Sequence, residues 1–345
     1  MKLSLLLLLA FSRCSLESNP IIFSITEHQL PTSSGLRGLA VVNDTVAWVC
    51  GGNDAFKTTD GEHWTALHVD DTDTLEMRDI EAFNDRSAVV LSVTGPAQIF
   101  KTRNGGITWS LRYEAQREDI FLDAMDFWDE AHGMVFGDAI NGHLFLLITS
   151  DGGASWQPVD PDSIPESPPG EGGFAASGTC LFAGEDNQHV WIGLGGPFAR
   201  VIFSDNSGKS WKTAPSPLQG HSSTQGIYSL AFKTLNYGLA VGGDYMHPED
   251  TSANITYTLD GGYSWERVNG SPPKGYRSSV VNIAGTSYWV CTGPTGTDFS
   301  SDDGMSWQPL DSLGYHAIGF SGKKGGWMSG SKGRLARIST NQTHH

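Results

Sequence analysis

Cysteine is scarce in this chain, and basic charge is outweighed. The 345 residues hold 4 Cys, at positions 14, 50, 180 and 291, too few and too scattered for a disulfide framework or a zinc site. Cys50 and Cys291 sit in matching apolar runs, Trp48-Val49-Cys50-Gly51 and Trp289-Val290-Cys291-Thr292, where a thiol reads as a small buried hydrophobe. Lys and Arg number 22 against 38 Asp and Glu, a formal net charge of -16. That balance argues against nucleic acid or an anionic membrane as the main partner, because both need a basic surface. Long helical patterns are few, and no glycine fingerprint follows a strand and opens a helix, so no cofactor is expected. The histidines show no pair at helical ligand spacing, and no metal is expected. The acidic run Asp70-Asp71-Thr72-Asp73-Thr74-Leu75-Glu76 lacks the turn glycine of a calcium loop and reads as solvated.

Long apolar runs are also missing, with one exception. Residues 3–11 are apolar but too short to span a bilayer, and with Lys2 ahead of them they read as an export signal over residues 1–18. The mature chain is therefore expected to be secreted or periplasmic, with no membrane span. Cys14 could carry a lipid anchor, but Arg13 before it fits that chemistry poorly, and simple secretion is the preferred expectation.

What is plentiful is turn chemistry: 42 Gly and 11 Trp suit an all-β chain. The stretch Thr149-Ser150-Asp151-Gly152-Gly153-Ala154-Ser155-Trp156 occurs six times in more or less altered form, starting at positions 58, 102, 149, 204, 258 and 300. The spacings are thus 44, 47, 55, 54 and 42 residues. Each copy sets a hydroxyl, then Asp or Asn, Gly, usually a second hydroxyl, and Trp. The acid and hydroxyls bind local backbone, Gly supplies positive φ, and Trp buries a ring beneath the turn. The first copy is one residue shorter and has His63 for the second hydroxyl. The pattern resembles the Asp box, or bacterial-neuraminidase repeat, which joins the outer strands of a β-propeller blade, and a near-fixed period is what blade repetition produces.

Aligned on these turns, residues 36–67, 77–113, 120–159, 174–214, 227–268 and 276–310 are six blades. Residues 315–339 begin a seventh but stop without the turn or an outer strand, for which Ile21-Ile22-Phe23-Ser24-Ile25 is an evident donor. The expectation is an all-β, seven-bladed β-propeller with Asp-box turns over residues 19–340, its ring closed by an N-terminal strand. A tail follows at 341–345, and the chain is expected to be a monomer.

In such a blade the repeated turns share one face, and the variable connections gather on the other, where binding is expected. On that face the innermost strands begin with Arg37, Arg78, Asp123, Ser177, Tyr228, Arg277 and His316. Asp138 and Asp244 follow second strands at the rim, and His247 stands in the insertion Asp244-Tyr245-Met246-His247-Pro248-Glu249-Asp250. Arginine grips carboxylate, phosphate or sulfate in bidentate fashion, so Arg37, Arg78, Tyr228, His247, Arg277 and His316 are expected to bind an anionic group, such as one on a glycan. The plainer alternative is that the arginines pair with Asp79, Glu81 and Asp123 and tie neighbouring blades together. If the chain is an enzyme, Asp123, Asp138 and Asp244 are its candidate catalytic carboxylates and glycoside hydrolysis its reaction. There is no Phe-Arg-Ile-Pro motif of the sialidases.

Almost the whole mature chain resembles the seven-bladed family of the photosystem II assembly and stability factor and its bacterial relatives. The likeness is carried by Asp126-Phe127-Trp128-Asp129-Glu130-Ala131-His132-Gly133-Met134-Val135-Phe136-Gly137, and again by Ala231-Phe232 and Tyr237-Gly238-Leu239-Ala240-Val241-Gly242. The resemblance implies an extracytoplasmic factor that holds a partner protein. The expected partner is then an envelope protein, or an acidic or neutral glycan, with glycoside hydrolase as the alternative function.

Overall fold

The computed structural model describes residues 20–69, 76–93 and 95–342. The expected export segment with Cys14, and the last three residues of the expected tail, lie outside them. Strand β1 (Ile21–Gln29) comes first. The next sheet comprises β2 (Gly38–Val41), β3 (Ala47–Gly51), β4 (Asp54–Thr58) and β5 (Trp64–Leu67). β6 (Met77–Ala82), β7 (Ala88–Ser92), β8 (Gln98–Thr102) and β9 (Ser110–Glu114) form another, followed by β10 (Leu122–Phe127), β11 (Gly133–Ile140), β12 (His143–Thr149) and β13 (Gln157–Pro158). β14 (Leu181–Ala183), β15 (Val190–Gly196), β16 (Arg200–Ser204) and β17 (Lys212–Pro215) make a fourth set, and β18 (Ser222–Phe232), β19 (Gly238–Asp244), β20 (Ile255–Thr258) and β21 (Glu266–Arg267) a fifth. These two sets join into one eight-stranded sheet where Gly195 pairs with Gly226 and Gly196 with Ser222. β22 (Ser279–Asn282), β23 (Trp289–Gly293), β24 (Gly296–Ser300) and β25 (Gln308–Asp311) follow. Finally β26 (Ala317–Ser321), β27 (Gly325–Ser329) and β28 (Arg334–Gln342) take β1 as their outer strand, in antiparallel register from Ile21 opposite Gln342 to Gln29 opposite Arg334.

Position within a sheet decides the sequence pattern. A second strand has neighbours on both edges and packed sheets on both faces, so it cannot alternate apolar with polar. Every residue of β3 and of β23 is buried, and both read as unbroken apolar runs. Outer strands are wet: four of the five residues of β9 are exposed. The apolar clusters lie between sheets. Trp48, Cys50, Met77, Ile80, Val90 and Trp109 join the sheet of β2–β5 to that of β6–β9. Leu36, Val49 and Phe56 of the first sheet region pack with Trp327 and Leu335 of the last, so the ring closes on itself as a β-propeller. Cys50, Cys180 and Cys291 are free and buried, as their apolar context suggests, and burial pushes their thiols up.

Packing alone does not satisfy the innermost strands, whose inner edges have no further strand to pair with. Side chains of one sheet serve the next. Asp79 accepts from the Met125 N–H at 2.8 Å, Asp126 from Ala183 at 2.7 Å, Ser229 from Val280 at 3.0 Å and Ser279 from Ile318 at 3.2 Å. The repeated turns are held across sheets as well. Lys57 Nζ donates to the Gly105 carbonyl, Lys101 Nζ to that of Gly152, and Arg337 from the last sheet to Gly61 O of the first at 3.0 Å.

Within the turn at 149–156, Thr149 Oγ1 donates to Asp151 at 2.8 Å and accepts from the Gly153 N–H at 2.9 Å, while Ser155 binds Asp151 through both N–H and hydroxyl. Gly153 stands at φ 78°, where a side chain is costly. In the short first copy, His63 replaces the hydroxyl: its N–H and its Nδ1 each lie 2.8 Å from an Asp60 oxygen.

The segment before β14 departs from the sequence expectation. Residues 174–180 are not an inner strand; β14 begins only at Leu181. They cross the central channel instead. Ser177 Oγ donates to Ser278 O at 2.7 Å, and Thr179 Oγ1 to Ser229 Oγ at 2.7 Å. A Cβ on Gly178 would fall 2.2 Å from an Asp79 carboxylate oxygen, so only glycine lets the chain pass there.

Candidate functional site

Above that plug lies a cavity of about 580 Å³ on the face of the sheet-to-sheet connections. Six of the expected residues line it together: Arg37, Arg78, Asp123, Asp138, Tyr228 and His316. The geometry follows from the strand starts. Each inner strand enters from this face, and its first side chains converge on the axis.

The charges here are incompletely compensated. Arg37 Nη1 donates to the Ala176 carbonyl at 3.1 Å, and Arg78 Nη1 to that of Ala175 at 3.3 Å, so the channel-crossing segment fixes both. Arg78 also pairs with Glu76, while no carboxylate lies within ion-pair distance of Arg37 among the described residues. Burial and the neighbouring Arg78 lower the Arg37 pKa. Asp123 is 1% exposed, and its Oδ2 and the Arg78 Nε have no hydrogen-bond partner among the described residues. An orphaned buried polar atom costs on the order of 1–3 kcal/mol, which is tolerated where a ligand supplies the missing partner. Burial, then the neighbouring Asp138, pushes Asp123 well above the usual carboxylate range, with Arg78 opposing. Asp138 is also raised by burial, against a hydrogen bond from Gly173 N–H at 3.3 Å. His316 is driven down to about 3 by burial and then by Arg37, Arg78 and Arg334. Its Nε2 lies 3.0 Å from Ser331 Oγ. Near neutral pH the cavity therefore presents two guanidinium cations beside a neutral imidazole, with the Asp123 and Asp138 carboxyl groups both shifted upward by burial.

One wall is aromatic, and of its residues only Tyr228 was expected at the site. Phe174 stacks on Tyr228 at 3.8 Å between centroids, and Tyr276 meets Tyr228 edge-on at 4.6 Å. Tyr245 and Ser278 also line the cavity. Tyr276 directly precedes an expected site residue and Tyr245 lies in the long insertion, which were the available signals.

Three expected site residues fall elsewhere. Arg277 is 1% exposed and does not line the cavity. Its Nε and Nη2 donate to Asp298 Oδ2 at 2.8 and 2.5 Å, and its remaining donors go to Tyr276 O, Thr295 Oγ1 and Lys274 O. All five N–H groups are used, so none is left for a ligand. Asp244 is 4% exposed; burial would raise it, but hydrogen bonds from His247 Nδ1, Thr224, Met246 N–H and Gln225 together hold it down at about 2. It shapes the loop carrying Tyr245. His247 projects outward from that loop, its side chain 76% exposed.

No family model matches the chain, and neither does any curated protein. Solved structures do. YCF48 bound to D1 peptide is similar with a TM-score of 0.62 and 17% identity, over 92% of this chain and 97% of that one. The GH74 xyloglucanase from Xanthomonas campestris gives 0.61 and 12% over 91% of this chain and 53% of its own length. The WD40 β-propeller domain of Doa1 gives 0.61 and 9% over 90% and 94%. At these identities the likeness is one of fold. Among the described residues no helix is long and apolar enough to cross a membrane.

Proposed function

We propose that this chain is an extracytoplasmic, seven-bladed, Asp-box propeller that binds a partner through the connection face, receiving an anionic group of that partner in the central funnel. The observation that carries this reading is the pair of arginines in a roomy cavity, with Arg37 lacking a carboxylate and Arg78 Nε and Asp123 Oδ2 lacking any partner. A carboxylate entering between the guanidinium groups supplies acceptors to the arginines, the unpartnered Arg78 Nε included. The tyrosine wall offers broad, rigid contact area of the kind enriched where proteins meet. YCF48, similar in fold, is seen with a peptide bound, which supports a protein segment as the ligand.

Glycoside hydrolysis is the second reading, favoured by two carboxyl groups in one cavity and by the likeness to a xyloglucanase. It needs one carboxylate ionised as base or nucleophile beside a protonated acid. The third candidate, Asp244, is committed to its own loop, and Asp123 and Asp138 lie beside two guanidinium groups that this reaction does not use. Binding is the better account.

Thermal shift of the mature protein against acidic peptides and against acidic and neutral oligosaccharides tests it. An acidic ligand is expected to stabilise the protein and to lose roughly tenfold or more in affinity in Arg37→Ala, about 1.4 kcal/mol or above. Stabilisation that Arg37→Ala leaves intact, or none from any acidic ligand, would overturn the reading. Sugar release that disappears in Asp123→Asn would replace it with the hydrolase.

A further inference from the structure

The face of the repeated turns carries a second cavity, of about 370 Å³, between the sheet of β10–β13 and that of β14–β17. This lies at the small end of the roughly 300–1,000 Å³ typical of small-molecule sites. Its apolar wall is the half-buried ring of Trp128, whose indole N–H is fixed on the His189 carbonyl at 2.7 Å, together with Ile148, 37% exposed. Facing these are Asp129, His132, Ser150, Gln157 and Asn187.

Several polar groups there have no protein partner among the described residues: the Gln157 amide, the Ser150 hydroxyl and His132 Nε2. Asp129 is different. Its oxygens already accept from the N–H groups of Ala131 and His132, from His132 Nδ1 and from Asn187 Nδ2. It has little capacity left to hold a cation, while its charge repels an anion, and neither Lys nor Arg lines the cavity. A purely apolar ligand would strand the amide, hydroxyl and imidazole. What remains is a neutral ring with one apolar face and hydroxyls around its edge.

We propose that this cleft binds a neutral hexopyranose residue of a glycan, its C–H face on Trp128 and its hydroxyls on Gln157, Ser150 and His132. The site is separate from the funnel and does not depend on the function assigned to it. Methyl β-glucoside, methyl β-galactoside and N-acetylglucosamine are the probes, titrated into the isotopically labelled mature protein. One of them is expected to shift the Trp128 indole and Gln157 amide resonances saturably. Gln157→Ala and Trp128→Phe, the first at an exposed position, the second keeping an aromatic ring, should each weaken binding about tenfold, ~1.4 kcal/mol. Arg37→Ala should leave it unchanged. No saturable shift from any of the three sugars, or shifts abolished by Arg37→Ala and not by Gln157→Ala, would overturn the proposal.

Discussion

Replacing Arg277 by Met should cost about 3–5 kcal/mol of stability while leaving intact the ligand binding proposed for the funnel. The substitution keeps most of the side-chain volume but removes five donors. Asp298, 1% exposed, then keeps a buried charge without its ion-pair partner, and the carbonyls of Lys274 and Tyr276 lose hydrogen bonds. Breaking a buried pair on one side typically costs 3–5 kcal/mol, because the remaining charge is stranded. Unfolding entropy near 2.1 cal/mol/K per residue over 345 residues is ~0.7 kcal/mol/K, so the melting temperature should fall by ~4–7 °C. Calorimetry and urea unfolding measure both quantities. Arg277→Met with Asp298→Leu removes both charges together and should recover much of the loss, since apolar replacement of a whole buried pair is often near neutral. A loss under ~1 kcal/mol for Arg277→Met, or a double variant no better than the single, would refute this account of the region.

Three further outcomes follow from the structure. His316 is about 3 when folded against 6.5 when unfolded, so only the unfolded chain takes up this proton as pH falls below 6.5, and stability is lost progressively between pH 6.5 and 3. Asp79 and Asp126, raised to about 7, act oppositely: they stay protonated in the fold while the unfolded chain ionises, so their stability is lost as pH rises from 3.8 through 7. The comparison of His316→Gln with the parent protein isolates the histidine, and at pH 5 the variant should have recovered roughly 2 kcal/mol relative to its difference at pH 8. Equal differences at both pH values would remove the assignment. Arg337→Ala should cost ~1–2 kcal/mol, because it breaks the hydrogen bonds to Gly61 O and Asp44 O that close the ring. Hydrogen exchange should then rise first in β28 and β5, and a uniform rise across all sheets would contradict a local seam.

The sequence by itself determined the architecture, because that information is local and repeated. Thr149, Asp151, Gly153 and Ser155 specify their own turn through contacts within four residues, and six near-copies at similar spacing place the strands between them. The apolar runs mark second strands, and Ile21–Ile25 is legible as the donor that completes the last sheet, though the strand runs on to Gln29. The convergence of Arg37, Arg78, Asp123 and His316 was legible too, since each begins an inner strand and inner strands share an axis. Only the tertiary structure decided what each side chain meets there. Arg277 leads into β22 much as the others lead into their strands, yet Asp298 stands two strands across on β24 to capture it, a pairing set by the registers of β22 with β23 and β23 with β24. Residues 174–180 look like a strand, but the need to fill the channel and to cap Arg37 and Arg78 with carbonyls makes them a plug. The aromatic wall unites Phe174 and Tyr276 of two connections with Tyr228 of β18, far apart in the chain, and the Trp128 cleft lies between two sheets. Turn chemistry acts over a few bonds and leaves its mark on neighbouring letters. A cavity is made by residues that are strangers in sequence, and no periodicity records them.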